Sequence, residues 1–180
     1  MDDSGFLSDL IKTLQSTYRI DAKRVYVIGH SNGAFMAFRF ACDHADQVAA
    51  IAALNGATWQ DPSRCTPSGP VGVLAIHSTD DETIAYGGGT NIGNAYPSAK
   101  RTVADWLGFD HCLATGRPAA ALDLVTDLPG AETSVTTYRA GCAGGSSVHS
   151  WTINGGRHVP AVGPAFAAAV MDDLLARKSA

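Results

Sequence analysis

Apolar residues follow two different spacings along the chain, and the alternation between them outlines the secondary structure. Helical spacing is clearest in residues 3–18, which predict an amphipathic helix with Ser4 as its candidate N-cap. Three further segments of helical type are 34–44, 98–109 and 161–176. Short runs rich in β-branched and aromatic residues predict strands over 24–28, 48–54, 71–76, 134–138 and 148–153. Segments 55–70 and 78–95 are rich in Gly, Asn, Asp and Pro, so they are predicted to be loops.

The order of these elements predicts an α/β fold. Helices alternate with early strands that are apolar almost throughout, which is typical of a mostly parallel sheet covered by helices on both faces. The chain contains no internal repeat, low-complexity tract or linker. We therefore expect one domain over residues 1–180.

Composition narrows the function classes. The chain is 46% hydrophobic and 17% charged, with a net charge of −4. These values argue against disorder, and a mildly acidic chain is not expected to bind nucleic acid or an anionic membrane. No apolar run reaches the roughly 18 residues of a membrane span, so no span is expected. The start at Met1 has neither a basic nor an apolar stretch, so we expect no signal peptide within this sequence: either the protein is cytoplasmic or its leader lies outside the sequence.

The cysteines bear on the compartment. Cys42, Cys65, Cys112 and Cys142 form no CxxC pair, which disfavours a zinc site, and no other metal site is indicated. Four cysteines allow three pairings, and residue spacing does not choose among them. An even count in a glycine-rich chain favours disulfides and an oxidising compartment, whereas buried thiols in a cytosolic protein are the alternative.

The strongest chemical signal is the segment Gly29-His30-Ser31-Asn32-Gly33. It fits the G-x-S-x-G pattern and lies between a predicted strand and a predicted helix, as a nucleophile elbow requires. We expect a tight turn that raises the Ser31 hydroxyl above the sheet, with glycine at both flanks because side chains there would collide with backbone. The helix N-terminus favours developing negative charge. The alternative is a serine that caps an ordinary turn.

A nucleophilic serine needs a base, and His158 is the best placed of the six histidines. It follows Gly155-Gly156-Arg157 in a loop after the last strand, where it can project over the C-terminal edge of a parallel sheet. The other five lie in helices, at strand ends or inside the elbow, and each is more typical of a structural or solvated side chain: His30, His44, His77, His111 and His149.

The base in turn needs an orienting carboxylate. Asp80 and Asp81 follow the third strand, whereas Glu82 is a weaker candidate. Adjacent side chains usually point apart, so only one aspartate is expected to contact His158. The chain order of serine, acid and histidine is that of the α/β-hydrolases.

Several segments together resemble the secreted polyhydroxybutyrate-depolymerase and feruloyl-esterase family of α/β-hydrolases. Segment 29–37 resembles its G-x-S-N-G-A-M-M-A elbow, and 77–86 resembles its H-G-T-x-D-x-x-V-P-Y. Segments 141–145 and 155–158 resemble its G-C-x-G-G and G-G-G-H. The resemblance runs from about residue 3 to the end of the chain. It departs from the family pattern at Ser78, where the family has glycine, and at Val159, where it has tryptophan one place before proline.

The resemblance assigns roles to particular residues. It implies a catalytic set of Ser31, Asp81 and His158, with the backbone N–H of Asn32 in the oxyanion hole. It also implies a Cys112–Cys142 disulfide, which leaves Cys42 and Cys65 as the second pair. The location it implies is secreted or periplasmic.

Relative to that family the chain is an N-terminally truncated α/β-hydrolase fold. The missing strands include the partner of strand 24–28 and an H-G turn that supplies the second oxyanion N–H, and the chain contains no His-Gly dipeptide. We expect strand 24–28 to lie at a sheet edge, covered by self-association or by another chain.

The sequence therefore predicts a serine carboxylic-ester hydrolase without metal or cofactor. Its expected substrates are short-chain esters, feruloyl or acetyl esters of polysaccharide, or hydroxyalkanoate esters. Aromatic or cleft-facing candidates for substrate contact are His30, Trp59, Tyr86 and Tyr96, with ordinary loop packing as the alternative. The rival hypothesis is a non-catalytic interaction module or inactive fragment, because the second oxyanion donor is unaccounted for.

Overall fold

A computed structural model describes residues 2–177, so Met1 and residues 178–180 of the predicted domain lie outside the description. The helices are α1 (Asp3–Thr17), α2 (Asn32–Asp43), α3 (Ala99–Phe109) and α4 (Pro164–Leu175). The strands are β1 (Tyr26–His30), β2 (Ala50–Leu54), β3 (Gly72–Ser78), β4 (Gly89–Asn91), β5 (Asn94–Tyr96), β6 (Arg117–Leu122), β7 (Thr133–Tyr138) and β8 (Val148–Ile153). Within residues 2–177, none of the helices combines the length and apolar character needed to cross a membrane.

Six strands form one sheet in the order β1-β2-β3-β8-β7-β6. β1, β2, β3 and β8 are parallel neighbours, whereas β7 and β6 are added antiparallel. Alternate residues of the central strands point into two apolar clusters, one against α2 and α3 and one against α4. The predicted α/β class and mostly parallel sheet are confirmed, and the carboxyl ends of four parallel strands meet at one edge.

The predicted first helix exists, but its N-cap differs from the expectation, and only part of its apolar stripe is buried. Its cap is Asp2, whose carboxylate accepts from the Gly5 N–H at 3.0 Å, and not Ser4, which is buried inside the helix. Leu7 and Ile11 pack on the core, while the rest of the apolar stripe is exposed: Phe6, Leu10, Leu14 and Tyr18. Periodicity identified an apolar stripe but not the direction in which it faces.

The loops predicted over 55–70 and 78–95 differ in outcome. The first contains only a short 3-10 turn, whereas the second contains the β4–β5 hairpin. Ile92 and Gly93 occupy its two-residue turn with positive φ angles of 47° and 76°, as a tight hairpin turn requires. The edge strand β6 was also missed, because Arg-Pro followed by three alanines lacks the alternating pattern of a strand.

The structure contains two disulfides, Cys42–Cys65 and Cys112–Cys142. Both pairings expected above are therefore confirmed. The first ties the end of α2 to the loop after β2. The second ties the segment after α3 to the loop that precedes β8.

Of the two edge strands of the sheet, β6 carries residues that disfavour pairing with another chain and β1 does not. β6 carries Arg117 and Pro118, a charge and a residue that lacks an N–H. β1 carries neither, and Ile28 is 57% exposed. The expectation that this strand lies at an edge is confirmed, and the edge has no residue that blocks a further strand.

Asp110, the C-cap of α3, is fully buried. Its Oδ1 accepts from the Val71 N–H at 3.1 Å, and burial raises the pKa of this carboxyl from 3.8 to about 6. Between pH 3.8 and about 6, the folded state therefore holds a proton on Asp110 that the unfolded chain has released. This difference lowers the free energy of unfolding as pH rises through that range.

Asp110→Asn is therefore expected to stabilise the fold at neutral pH. The amide keeps an acceptor for Val71 and removes the buried charge, so the free energy of unfolding should rise by about 2 kcal/mol at pH 7.5. At pH 4 the variant and the parent should differ little. Urea unfolding at the two pH values measures the difference, and an equal shift at both would contradict the assignment.

Candidate active site

The turn between β1 and α2 places Ser31 above the carboxyl edge of the sheet. Ser31 has φ 55° and ψ −121°, a strained conformation for a residue with a side chain. Its N–H donates to the Leu54 carbonyl at 2.9 Å, and its own carbonyl accepts from Ala34 and Phe35 at the start of α2. The strain is thus held by backbone hydrogen bonds on both sides, as a nucleophile elbow requires.

The two glycines of the elbow have different roles. A Cβ on Gly29 would lie 2.0 Å from the Gly33 carbonyl oxygen, so no larger residue fits there. A Cβ on Gly33 would meet nothing within 4 Å. The sequence-based argument that both flanks exclude side chains is right for Gly29 and wrong for Gly33, because Gly33 already lies on the open side of α2.

Three polar side chains from distant parts of the sequence meet at this edge. His158 Nε2 lies 2.8 Å from Ser31 Oγ, and His158 Nδ1 lies 2.9 Å from both carboxylate oxygens of Asp81. Asp81 and His158 are 5% and 8% exposed, while Ser31 is half-buried and partly accessible to solvent. This chain of hydrogen bonds can pass a proton from the serine to the histidine and stabilise the resulting imidazolium.

Asp81 is fixed by its own turn. Its Oδ1 also accepts from the Thr83 and Ile84 N–H groups at 2.9 and 2.7 Å. The Asp80 carboxylate does not contact His158, and among the residues described it accepts a hydrogen bond only from the Thr79 hydroxyl. Geometry therefore places Asp81, and not Asp80, against His158.

His77 supports the turn that carries Asp81. Its Nε2 donates to the Ile84 carbonyl at 2.8 Å, and its ring packs edge-on against Tyr86 with centroids 5.6 Å apart. Burial lowers the pKa of His77, so the ring is held neutral close to Asp81. His77 is thus a structural histidine, as the sequence suggested.

The four candidates for substrate contact lie at different places around the site. His30 directs Nε2 to the His158 carbonyl at 2.8 Å, and Tyr86 faces Thr152 and His77 at an inner strand end. Trp59 lines a groove of about 560 Å³, and Arg64 lies over its ring at 3.8 Å from the centroid. Tyr96 lines the same groove.

The groove is also lined by Asn32, which follows Ser31 and lies at the first position of α2. The N–H of Asn32 has no preceding helical turn to supply a carbonyl, so it is available to a developing oxyanion. The oxyanion role of Asn32 stays a prediction. The sequence analysis did not identify Asn55, a buried residue that contacts the His158 loop. No motif marked Asn55, since its partners are the Ser78 hydroxyl and backbone groups that come together only in the folded sheet.

Comparison with known protein families assigns the chain to a family of esterases. The model of the family described as Phospholipase/Carboxylesterase matches residues 1–106, more than half of the chain. The chain belongs to this phospholipase/carboxylesterase family. The esterase and α/β-hydrolase part of the expected resemblance is thereby confirmed, while its polyhydroxybutyrate-depolymerase part stays a prediction.

Two relatives of this chain are much longer than it is. NocK of Nocardia uniformis subsp. tsuyamanensis is 31% identical over 175 residues, covering 87% of this chain and 48% of NocK. Feruloyl esterase B of Piromyces equi is 32% identical over 165 residues, covering 87% of this chain and 29% of that protein. The chain thus spans less than half the length of both relatives.

A solved structure has the same fold. The acetyl xylan esterase from Aspergillus awamori superposes with a TM-score of 0.61 at 15% sequence identity. The match covers 95% of this chain and 66% of that one. At this identity the likeness concerns the fold.

Proposed function

We propose that this chain is a serine carboxylic-ester hydrolase whose nucleophile is Ser31. The hydrogen-bonded series Asp81–His158–Ser31, with distances of 2.9 and 2.8 Å, is the observation that carries the proposal. Membership of the phospholipase/carboxylesterase family supports it independently. No metal or cofactor takes part in the proposed reaction.

The reaction proceeds in two halves. His158 Nε2 takes the Ser31 proton while Oγ bonds to the ester carbonyl carbon, and the carbonyl oxygen becomes an oxyanion near the Asn32 N–H. Collapse of this adduct breaks the bond to the alcohol, which leaves with the proton from His158. Water then gives a proton to His158, attacks the acyl-enzyme, and releases the acid as Ser31 recovers its proton.

The groove beside Asn32 suggests the substrate class. It combines aromatic rings of Phe35, Trp59 and Tyr96 with polar side chains, and it is open enough for an acyl group larger than acetyl. Similarity to feruloyl esterase B favours feruloyl or acetyl esters of polysaccharide, with short aliphatic and hydroxyalkanoate esters as the other members of the class. Two disulfides support a secreted or periplasmic location.

Hydrolysis of p-nitrophenyl acetate, p-nitrophenyl butyrate and methyl ferulate tests the proposal. We expect turnover by the parent chain, background rates for Ser31→Ala, and parent rates for Ser16→Ala, a control on the exposed face of α1. Equal background rates for the parent and Ser31→Ala would instead support an inactive fragment or a binding module. That outcome would also mean that one oxyanion N–H is not enough.

We further propose that a second copy of the chain covers β1. Two β1 edges can pair antiparallel across a two-fold axis, and this edge lacks the charge and the proline that protect β6. Light scattering after size-exclusion chromatography should give a dimer or larger species. Ile28→Lys should shift it toward monomer, whereas Ala120→Lys on β6 should not; a monomeric parent would overturn the proposal.

A further inference from the structure

His158 lies on a loop with no regular secondary structure of its own. Its neighbour Val159 is 74% exposed, and Arg157 is exposed as well. Asp81 orients the ring through Nδ1, but the ring reaches Ser31 only if the main chain of His158 is also held in place. The contacts of that main chain therefore decide the distance between His158 Nε2 and Ser31 Oγ.

Asn55, directly after β2, supplies the only fully buried side chain among the described contacts to the His158 main chain. Its Nδ2 donates to the His158 carbonyl at 2.8 Å and lies 3.2 Å from the Arg157 carbonyl. Asn55 is 0% exposed and has a φ of 53°, a left-handed conformation that asparagine tolerates better than most residues. A buried amide with such partners is well shielded from competing water.

The other end of the Asn55 side chain is fixed to β3. Its Oδ1 accepts from the Ser78 N–H at 2.8 Å, and its Nδ2 lies 3.2 Å from Ser78 Oγ. The Asn55 N–H donates to the Ile76 carbonyl at 2.9 Å. Asn55 therefore connects the ends of β2 and β3 to the loop that carries His158.

Ser78 is one of the positions at which the chain departs from the motif it resembles. Its hydroxyl gives Asn55 an additional acceptor that glycine would not provide. A Cβ on Gly156 would lie 2.9 Å from this hydroxyl oxygen and 2.5 Å from Ile153 Cγ2, so the His158 loop packs closely against the ends of β3 and β8.

Two exposed side chains add weaker contacts to the same main chain. His30 Nε2 donates to the His158 carbonyl at 2.8 Å, and Glu82 Oε2 accepts from the His158 N–H at 3.2 Å. Both side chains are exposed, so water competes for these bonds, whereas it is excluded from Asn55. This difference in burial singles out Asn55.

We propose that Asn55, supported by Ser78, is a positioning residue that sets the distance between His158 Nε2 and Ser31 Oγ. The kinetic consequence rests on the proposed esterase function. Because a displacement of about 1 Å at a reacting group can lower the rate about 10²-fold, removal of the Asn55 amide should lower kcat far more than it changes KM.

Three variants test this role with p-nitrophenyl acetate. Asn55→Ala should lower kcat by about 10²-fold with KM within about twofold of the parent. Asn55→Asp keeps the size and the acceptor for Ser78, but it places a carboxylate oxygen against two carbonyl oxygens and should show the same loss. Gln47→Ala is the matched control, because it removes side-chain bonds to Ser8 at the opposite end of β2.

A spectroscopic readout separates this proposal from the proposed function. The downfield proton resonance of His158 Nδ1–H reports its bond to Asp81 whether or not the chain turns over esters. It should be present in the parent and in Gln47→Ala, and it should be shifted or lost in folded Asn55 variants. An unchanged resonance with parental kcat in either folded Asn55 variant would overturn the proposal, whereas an inactive parent that shows this resonance pattern would overturn only the esterase function.

Discussion

Asp81→Asn is expected to lower kcat for p-nitrophenyl acetate by about 10⁴-fold while leaving the fold intact. In the parent, Asp81 Oδ1 accepts from the Thr83 and Ile84 N–H groups, and both oxygens face His158 Nδ1. An asparagine keeps its oxygen toward the two backbone donors, so its NH₂ takes the Oδ2 position 2.9 Å from Nδ1. We expect Nδ1 to accept from this NH₂, which leaves the proton on Nε2, where the ring cannot receive the proton of Ser31.

The neighbouring aspartate is the control for this prediction. Asp80 is exposed, and among the residues described its carboxylate hydrogen-bonds only the Thr79 hydroxyl, so Asp80→Asn should keep kcat within about twofold of the parent. Circular dichroism and thermal melting show whether both variants fold. If Asp80→Asn is the inactive variant and Asp81→Asn the active one, the carboxylate is misassigned.

The sequence placed these catalytic candidates because a parallel sheet brings the carboxyl ends of its strands together. Ser31, Asp81 and His158 follow β1, β3 and β8, which are separated in the sheet only by β2. From the residues alone, Asp80 and Asp81 remained alternatives, since a choice between adjacent side chains depends on the turn that follows. Here the N–H groups of Thr83 and Ile84 define that turn.

Features that depend on tertiary contact were beyond the sequence. Asn55 belongs to no motif, and its role depends on the carbonyls of a loop 103 residues later in the chain. The buried face of α1 includes Ser8, which bonds the Gln47 side chain, whereas the large side chain of Phe6 is exposed. The β4–β5 hairpin was missed for a different, local reason: its two strands have three residues each, and they lie with the turn at Ile92 and Gly93 in a segment whose composition is that of a loop.

Gly29→Ala is expected to prevent stable folding, whereas Gly33→Ala is expected to be tolerated. A methyl group at Gly29 would lie 2.0 Å from the Gly33 carbonyl oxygen and 2.7 Å from the Ala34 nitrogen. Both are backbone atoms at the start of α2, so relief of the clash requires moving the helix away from β1. We expect a loss of more than about 4 kcal/mol in the free energy of unfolding.

At Gly33 the same methyl group meets no atom within 4 Å, and alanine favours the helix that begins there. The two variants have the same change in composition and lie four residues apart, so urea unfolding of the pair isolates the steric effect. A folded Gly29→Ala with parental stability would show that the tight turn is not required. Unfolding of Gly33→Ala would show instead that both glycines of the motif are needed for the backbone, and that the open space beside Gly33 is occupied in the working protein.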